Sequence, residues 1–438
     1  FATLFEQAIL EVVPKAQIVF EEGQLGTTGE IEFAQRPIGT NKCGMVSWKC
    51  TVSTATHRSA FVIIGNDIDF EIGSFGVEED QLFYEASKYA RVHHLPRIFL
   101  SANSGARIGL ADEVWNAFKV AWIDQGNPQK GFNYLYFDED QLEAMRKSVR
   151  FERIQVTQTT HHYRITDIIG LKDGIGVENL QGSALIAGET AVANEDSFTM
   201  TLVTGRSVGI GAYLVRLGQR AIQRQDQPII LTGFAALNSI LGREVYQNNL
   251  QLGGPQTMST NGVSHLVVRD DWEGVREIVK WLHYLPAFAP FSTKSADTNL
   301  DRDVQVEWET SPTSDPRVLL VGDGQGKLGM LDAKSFQEYL ADWAPGVIVG
   351  RGRLGGEAVG VIVTECRTTY RRIPADPANP ESRQSVYPQA GQVWFPDSAF
   401  KTATALRDFR GEQLPVLIVA NWRGFSGGQR DLFQEILK

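Results

Sequence analysis

The sequence has little of what would place it in several protein classes. Among its 438 residues are three cysteines, Cys43, Cys50 and Cys366, and no two of them form a CxxC pair. So few cysteines cannot build a disulfide framework, and their spacing does not match a zinc site. No apolar run approaches the roughly 18 residues that a membrane helix needs. Neither a secretory leader nor an Asn-x-Ser/Thr sequon is present. We therefore expect an intracellular protein without a membrane span.

Metal-binding histidine motifs and an excess of positive charge are missing too. The seven histidines include the pairs His93-His94 and His161-His162, but no HExxH or HxxxH motif. Neighbouring residues on a strand point to opposite faces, so such pairs do not favour a metal site. Lys+Arg is 42 against Asp+Glu 52, which gives a net charge of −10. We expect no metal and no nucleic-acid partner, and any anionic ligand must be met by local arginines or backbone N–H groups.

Glycine is abundant, with 42 residues, and many glycines occupy one recurring arrangement. An apolar strand ends in a turn rich in Gly, Ser, Thr and Asn, and an amphipathic helix follows. The strands are predicted at 60–64, 97–100, 199–203, 229–231 and 416–419, and the helices at 82–90, 114–122, 212–222 and 429–438. This alternation predicts an α/β architecture of two or three domains with buried sheets.

Two segments interrupt the pattern. Residues 286–316 are polar and contain proline, which is typical of an interdomain connection, and residues 373–398 carry five prolines, typical of a rigid surface excursion. The last predicted helix has an apolar face formed by Leu432, Phe433, Ile436 and Leu437. Since that face needs a partner, we expect the second domain to continue past Lys438. We likewise expect that Phe1 is not the natural start of translation.

Three glycine motifs invite a functional interpretation, and each has a plainer one. Gly350-x-Gly352-x-x-Gly355 matches the dinucleotide fingerprint, but a strand follows where a helix is required, so a β-hairpin is expected. The segment 322–327 resembles a P-loop only loosely, and a hairpin turn is favoured there as well. Residues 424–428 fit GxSxG between a strand and a helix. A hydrolase centred on Ser426 would, however, need a histidine, and none follows it.

Three of the turns share free backbone N–H groups at the start of a helix, around residues 102–105, 209–211 and 424–428. Such groups, aligned with the helix dipole, stabilise an oxyanion. Two of these turns also carry an arginine, Arg206 or Arg423, that can hold a carboxylate through paired donors. Because no acid–base dyad accompanies them, the turns favour chemistry in which an anion forms on the substrate.

At these residues the sequence resembles the carboxyltransferase component of multidomain, eukaryotic-type acetyl-coenzyme A carboxylase. The motifs that carry the resemblance are 101–109 (SANSGARIG), 174–183 (GIGVENLQGS), 204–220 (TGRSVGIGAYLVRLGQR), 241–246 (LGREVY) and 421–431 (NWRGFSGGQRD). Agreement extends from about Val62 to Lys438, with interruptions near 140–165 and 287–316.

The resemblance implies an α/β fold made of two domains of the crotonase (ClpP-like) superfold, built from repeated β-β-α units. It places the N-domain at 1–299 and the N-terminal part of a truncated C-domain at 300–438. It also implies a homodimer in which the N-domain of one subunit faces the C-domain of the other. The implied reaction moves CO2 from carboxybiotin to acetyl-CoA, giving malonyl-CoA for fatty acid synthesis. The biotin would be carried on a separate carrier domain, and carrier and biotin carboxylase domains would belong to the same polypeptide, in the cytoplasm or a plastid.

The resemblance also assigns roles to residues. Ala102 and Ile210 would donate main-chain N–H groups to the thioester oxygen as the enolate forms, and Gly209 would leave room for that approach. Arg206 would bind near acetyl-CoA, and Arg423 would reach the transferred carboxyl group from the partner subunit. The residues implied at the substrate and biotin surface are Gly105, Leu180, Tyr213, Phe425 and Gly427.

Some features of the family are absent from this sequence. It contains no Met-Lys-Met biotin signature and no ATP-grasp domain, and, unlike the bacterial β-subunit type, it has no N-terminal four-cysteine zinc module. Alternatives therefore stay open at this stage: a non-catalytic binding or assembly module with the same fold, a serine hydrolase that uses Ser426, or a propionyl-CoA carboxylase.

Overall fold

A computed structural model describes residues 1–37, 40–107, 112–168, 179–286 and 313–437. The elements up to residue 107 are α1 (Ala2–Val12), β1 (Gln17–Leu25), β2 (Ile31–Ala34), β3 (Met45–Ser53), β4 (Arg58–Asn66), α2 (Val77–Val92) and β5 (Arg97–Ser101). Those between 112 and 168 are α3 (Asp112–Trp115), β6 (Lys119–Trp122), β7 (Phe132–Phe137), α4 (Leu142–Met145), β8 (Val149–Gln155) and β9 (His161–Ile168).

The later elements fall in two further ranges. Those between 179 and 286 are α5 (Asn179–Asp196), β10 (Thr199–Val203), β11 (Ser207–Val208), α6 (Ile210–Leu217), β12 (Arg220–Arg224), β13 (Ile229–Ile230), α7 (Phe234–Leu241), α8 (Leu250–Gly253), α9 (Pro255–Met258), β14 (Leu266–Val268) and α10 (Asp271–Tyr284). Those between 313 and 437 are α11 (Arg317–Val321), β15 (Gln337–Tyr339), β16 (Val347–Leu354), β17 (Glu357–Thr364), β18 (Thr369–Ile373), β19 (Ser385–Gln389), β20 (Val393–Trp394), α12 (Pro396–Gly411), β21 (Val416–Val419), β22 (Gly424–Phe425) and α13 (Gln429–Phe433).

Eight strands form the principal sheet, in the order β14-β12-β10-β5-β4-β3-β1-β2. The five strands from β14 to β4 pair in parallel, and β3, β1 and β2 extend the sheet by antiparallel pairing. Every residue of β5 and β10 is buried, as expected for parallel strands covered on both faces. Because β4, β5 and β10 are parallel neighbours, their carboxyl ends lie at one edge of the sheet, and the loops that follow them meet there.

Helices cover both faces of this sheet. On one face α2 packs through Phe83, whose ring lies edge-on to Phe99 of β5 at 5.2 Å. On the other face α1 and α10 contribute Phe5 and Trp281 to a second core. These layers confirm the mixed α/β architecture, the strands predicted at 60–64, 97–100 and 199–203, and the first predicted helix.

Three predicted helices are wrong in extent. The helix at 114–122 ends at Trp115, because residues 119–122 form β6 and pair with β7. This pairing builds a small sheet, β6-β7-β9-β8, with a core of its own around Phe137 and Tyr163. The helix at 212–222 begins at Ile210 and ends at Leu217, since Gln219 has a positive φ of 62° that stops the helix before β12. The last helix ends at Phe433.

Residues 313–437 contain a second, four-stranded sheet, β15-β16-β17-β21, on which α12 packs. The predicted hairpin around Gly352 is confirmed, because β16 and β17 pair antiparallel across Gly355 and Gly356. The predicted hairpin turn at 322–327 is wrong: this segment is a loop that follows α11, and Asp323 Oδ1 accepts the N–H groups of Gln325 and Lys327.

The proline-rich segment 373–398 is less of an excursion than predicted. It contains β19, which pairs with β18, and it continues into the first turn of α12 at Pro396. The apolar face expected near the end of the chain is divided in the structure. Ile436 is buried, whereas Leu432, Phe433 and Leu437 are exposed. Most of the predicted connection 286–316, and with it the boundary between 1–299 and 300–438, lies outside the described residues.

The part of the chain before this connection packs directly on the part after it, through a buried charge network. Glu412 accepts a hydrogen bond from Arg220 Nε and another from Arg351 Nε, each at 2.6 Å. All three side chains are buried. Burial disfavours the charged form of Glu412, but the two guanidinium groups outweigh it and hold the pKa of this carboxyl below its ordinary value. The three charges therefore stabilise the contact only as a set.

Replacing the shared carboxylate should destabilise the protein. We expect Glu412→Gln to lower the free energy of unfolding by about 3–5 kcal/mol, because buried Arg351 loses its carboxylate partner and Arg220 keeps only Asp408, 3.7 Å away. The control is Glu11→Gln: Glu11 pairs with Arg276 at 2.8 Å on the surface, and its replacement should cost less than about 1 kcal/mol. Urea denaturation measures both variants, and equal losses would show that Glu412 is not the centre of a buried network.

Candidate active site

Two loops at the carboxyl edge of the principal sheet are joined by several hydrogen bonds. The loop after β5 begins at Ala102, and the loop after β10 spans 204–209. The N–H groups of Thr204 and Gly205 donate to the Ser101 carbonyl at 3.1 and 3.0 Å, and the Asn103 N–H donates to the Arg206 carbonyl at 2.7 Å. The structure thus brings together two of the three turns that the sequence analysis singled out.

Gly209 is the N-cap of α6, and Ile210 is the first residue of that helix. Gly209 has a φ of 54°, a conformation that an L side chain rarely adopts, and its own N–H donates to the Ile230 carbonyl at 2.9 Å. The first N–H groups of a helix have no acceptor within the helix, and the helix dipole adds positive potential there. Ile210 is half-buried, so its N–H lies at a helix start that can stabilise an anion.

The N–H of Ala102 has an acceptor in this structure. It donates to Oδ1 of Asn66, at the end of β4, at 3.3 Å, and Nδ2 of Asn66 donates to the Gly73 carbonyl at 3.2 Å. This bond is at the long end of the usual range. A substrate oxygen bound by Ala102 would have to share this N–H with Asn66 or displace the amide. Asn66 is a site residue that the sequence analysis missed, because its position next to Ala102 arises from strand pairing.

Two glycines allow the loop after β5 to lie very close to the loop after β10 and to the start of α6. A Cβ atom on Gly205 would lie 2.7 Å from the Cβ of Ala102, and one on Gly211 would lie 2.0 Å from Oδ1 of Asn103. Gly105 is buried, and its N–H and carbonyl bond to Asn103 Oδ1 and to the Phe75 N–H. Its role in substrate binding stays a prediction.

A buried ion pair supports the far end of the first loop. Arg107 Nη2 lies 3.2 Å from Oε2 of Glu79, and Arg107 Nε donates to Ser74 Oγ at 3.0 Å. Glu79 also accepts the N–H groups of Gly44 and Gly76 at 2.8 and 2.9 Å. Glu79 is the third residue of α2, a typical capping-box position, and that was the signal available for it in the sequence.

The side chains predicted around this site differ in their surroundings. Within the described ranges the guanidinium of Arg206 makes no ion pair, so it remains able to bind an anion. Tyr213, in the first turn of α6, has 55% of its surface exposed. Leu180 lies near the start of α5, but its side chain is outside the described residues.

The third turn, around residues 424–428, contacts a different part of the chain. Its strand β22 pairs with β20, and the Phe425 ring lies 4.8 Å from the Trp394 ring beside a cavity of about 1070 Å³. Phe425 has 61% of its surface exposed, and a Cβ on Gly427 would meet open space. Among the described residues, no hydrogen bond, ion pair or ring contact joins Arg423, Phe425 or Gly427 to the loops around Ala102 and Arg206.

The surroundings of Ser426 do not match a hydrolase triad. Ser426 lies in the short turn between β22 and α13. The hydroxyl of Ser426 donates to the carboxylate of Asp431, and within the described ranges no histidine contacts it.

The described part of the chain contains no cluster of three or more His, Cys, Asp or Glu residues that could hold a metal. None of its helices has the length and apolar character needed to cross a membrane.

Comparison with known proteins defines the class. The model of the carboxyl transferase domain family matches residues 56–438, and the chain belongs to that family. Its relatives include the acetyl-CoA carboxylases of Schizosaccharomyces pombe, 51% identical over 422 residues, and of Saccharomyces cerevisiae, 52% identical over 423 residues. Each alignment covers 94% of this chain but only 18% and 19% of those proteins, respectively. Acetyl-CoA carboxylase 2 of Oryza sativa is 49% identical over 97% of this chain and 19% of its own length.

A solved structure shares the fold. Transcarboxylase 12S, a hexamer crystallised with hydrolysed methylmalonyl-coenzyme A, superposes with a TM-score of 0.56 over 90% of this chain and 59% of its own. Its identity to this chain is 16%, so the likeness concerns the fold alone.

A methyl group at Gly211 tests the close contact between the loops. We expect Gly211→Ala to lower the free energy of unfolding by about 1–3 kcal/mol, because the added Cβ would displace the Asn103 amide. Gly188→Ala is the matched helical control: a Cβ there meets open space, and the change should stabilise the protein by about 0.5–1 kcal/mol. We expect the two changes in the free energy of unfolding, measured by urea denaturation, to have opposite signs. Equal stabilisation of both variants would contradict the close contact between Gly211 and Asn103.

Proposed function

We propose that this chain performs the carboxyltransferase half-reaction of acetyl-CoA carboxylase, in which the methyl carbon of acetyl-CoA receives the carboxyl group of carboxybiotin and becomes malonyl-CoA. The observation that carries the proposal is the meeting of the Ala102 loop with the start of α6, beside Arg206, whose guanidinium has no ion-pair partner among the described residues. Sequence identity of about half to acetyl-CoA carboxylases over nearly the whole chain supports the choice of substrate.

The main chain stabilises the charge that forms on the substrate. Removing the methyl proton of acetyl-CoA places negative charge on the thioester oxygen, and the N–H groups of Ala102 and Ile210 hold that oxygen. One such donor contributes about 10²–10³-fold to kcat in other acyl-transfer sites. Gly209, which has no side chain, lets the substrate approach the main chain. Arg206 holds the carboxyl group that is transferred.

Biotin supplies the carboxyl group and, once that group has left, a base for the methyl proton. Two aromatic side chains that are more than half exposed, Tyr213 and Phe425, fit the flat ureido ring. Leu180 is assigned to biotin binding by the family resemblance alone. Gly105 and Gly427 belong to the same binding region. Arg423 binds the transferred carboxyl group together with Arg206.

The site is completed by a second subunit. Among the described residues no hydrogen bond or ion pair joins Arg423 to the Arg206 loop, which supports a homodimer in which the N-domain (1–299) faces the partner's C-domain (300–438). Both domains have the crotonase superfold with repeated β-β-α units. Biotin carboxylase and carrier domains on the same polypeptide supply carboxybiotin, since the chain spans about a fifth of its relatives. The enzyme acts in the cytoplasm or in a plastid.

Subunit complementation tests both arginines and the dimer. In the reverse reaction, with malonyl-CoA and free biotin, Arg206→Ala and Arg423→Ala should each lower kcat/KM by about 10- to 100-fold through loss of a charged hydrogen bond. The assay uses the polypeptide with all of its domains. The control Arg216→Ala, on the exposed face of α6, should stay within about 2-fold of the unmutated enzyme.

Mixing Arg206→Ala with Arg423→Ala, after dissociation into subunits and reassociation, tests whether each site is shared between two subunits. If each site takes Arg206 from one subunit and Arg423 from the other, half of the dimers are mixed and have one intact site. Activity should therefore return to about a quarter of the original level. No recovery would show that both arginines belong to one subunit, and full activity of Arg206→Ala alone would refute its assignment.

A further inference from the structure

The side chain of Asn103 connects the two loops of the proposed site and is completely buried. Its Oδ1 accepts the N–H of Gly105 at 3.3 Å, in its own loop, and the N–H of Val208 at 3.1 Å, in the other loop. Its Nδ2 donates to Ser101 Oγ at 3.0 Å and to Asn66 Oδ1 at 3.3 Å. Both acceptor sites and both donors of the carboxamide are therefore used.

These partners fix the orientation of the amide. Turning the group by 180° would place its NH2 against two backbone N–H donors and its oxygen against the Asn66 oxygen. Aspartate would keep the two accepted bonds but lose both donors, and an apolar residue would remove the acceptor of the Gly105 and Val208 N–H groups. Asparagine is thus matched to this position by its chemistry.

The hydrogen bonds of Asn103 continue across three strand ends. Asn66 ends β4 and Ser101 ends β5, and the Ser101 hydroxyl lies 2.6 Å from that of Ser207, which follows β10. Ser101 accepts from Asn103, so its own proton can be donated to Ser207. The start of α6 rests on the same amide, because a Cβ on Gly211 would lie within 2.0 Å of it.

We propose that Asn103 is a positioning residue for carboxyl transfer, whose carboxamide holds the main-chain N–H groups of Ala102 and Ile210 in the arrangement that receives the thioester oxygen. Asn103 directly follows Ala102 and packs against the residue that follows Ile210, so one side chain controls both donors. Its backbone N–H also holds the Arg206 carbonyl at 2.7 Å. This inference rests on the proposed function.

The test separates positioning from simple stability. Asn103→Asp keeps the shape of the side chain and the two accepted hydrogen bonds. We expect kcat for malonyl-CoA in the reverse reaction to fall about 100-fold, which is the size of loss expected when a catalytic group is misplaced. The KM for malonyl-CoA should change less than about 3-fold. The N–H groups of Ala102 and Ile210 hold only the thioester oxygen, and the rest of the substrate binds without them. The measurement uses the polypeptide with all of its domains, and the melting temperature of each variant is recorded.

The matched control is Asn238→Ala. The Asn238 amide also accepts two backbone N–H groups, from Val245 and Tyr246, and donates to the Tyr246 carbonyl, but it supports a different turn. Its replacement should lower the melting temperature without lowering kcat. If kcat falls equally in the control, or stays unchanged in a folded Asn103→Asp, the inference is overturned.

A second variant covers the case in which Asn103→Asp does not fold. Ser207→Ala removes only the last member of the same hydrogen-bonded line, and kcat should fall about 10-fold; an unchanged kcat would overturn the inference. Failure of the proposed function looks different, because the unmutated enzyme would then transfer no carboxyl group between malonyl-CoA and biotin.

Discussion

The parallel pairing of β4, β5 and β10 is the constraint on which the site depends. Parallel neighbours place their carboxyl ends at one edge of the sheet, so Asn66, Ala102 and the 204–209 loop meet although they are distant in sequence. The loops then approach so closely that a Cβ at Gly205 or Gly211 would clash with the neighbouring loop. The hydrogen bonds between the loops and the buried Asn103 amide are consequences of this approach, because no long side chains separate the two main chains.

The buried charges serve a different purpose from the polar groups of the site. Glu412, Arg220 and Arg351 join the two parts of the chain, and each ion is buried and paired. This arrangement fixes how the part that contains Arg423 sits on the part that contains Arg206. The site itself rests on uncharged main-chain N–H groups and on one carboxamide, that of Asn103.

Turn motifs and apolar spacing predicted the structure correctly where residues close together in the sequence determine an element. Gly209 and Ile210 were placed at a helix start from the turn motif alone, and the hairpin around Gly352 followed from the strand that comes after it. Where distant pairing competes with local periodicity, the prediction failed. Residues 119–122 continue a helical apolar spacing, yet they form a strand because β7 supplies a partner.

The strand–turn–helix units, the glycines that allow close approach and the motifs that resemble one family can all be read from the order of the amino acids. The meeting of the turns, the bond of Asn66 to the Ala102 N–H and the bonds of Asn103 to both loops follow from the assembly of the sheet. The physical reason is that these contacts join residues such as Asn103 and Val208, 105 positions apart. Strand order and burial bring such residues together, and neither is encoded in the local pattern of either loop.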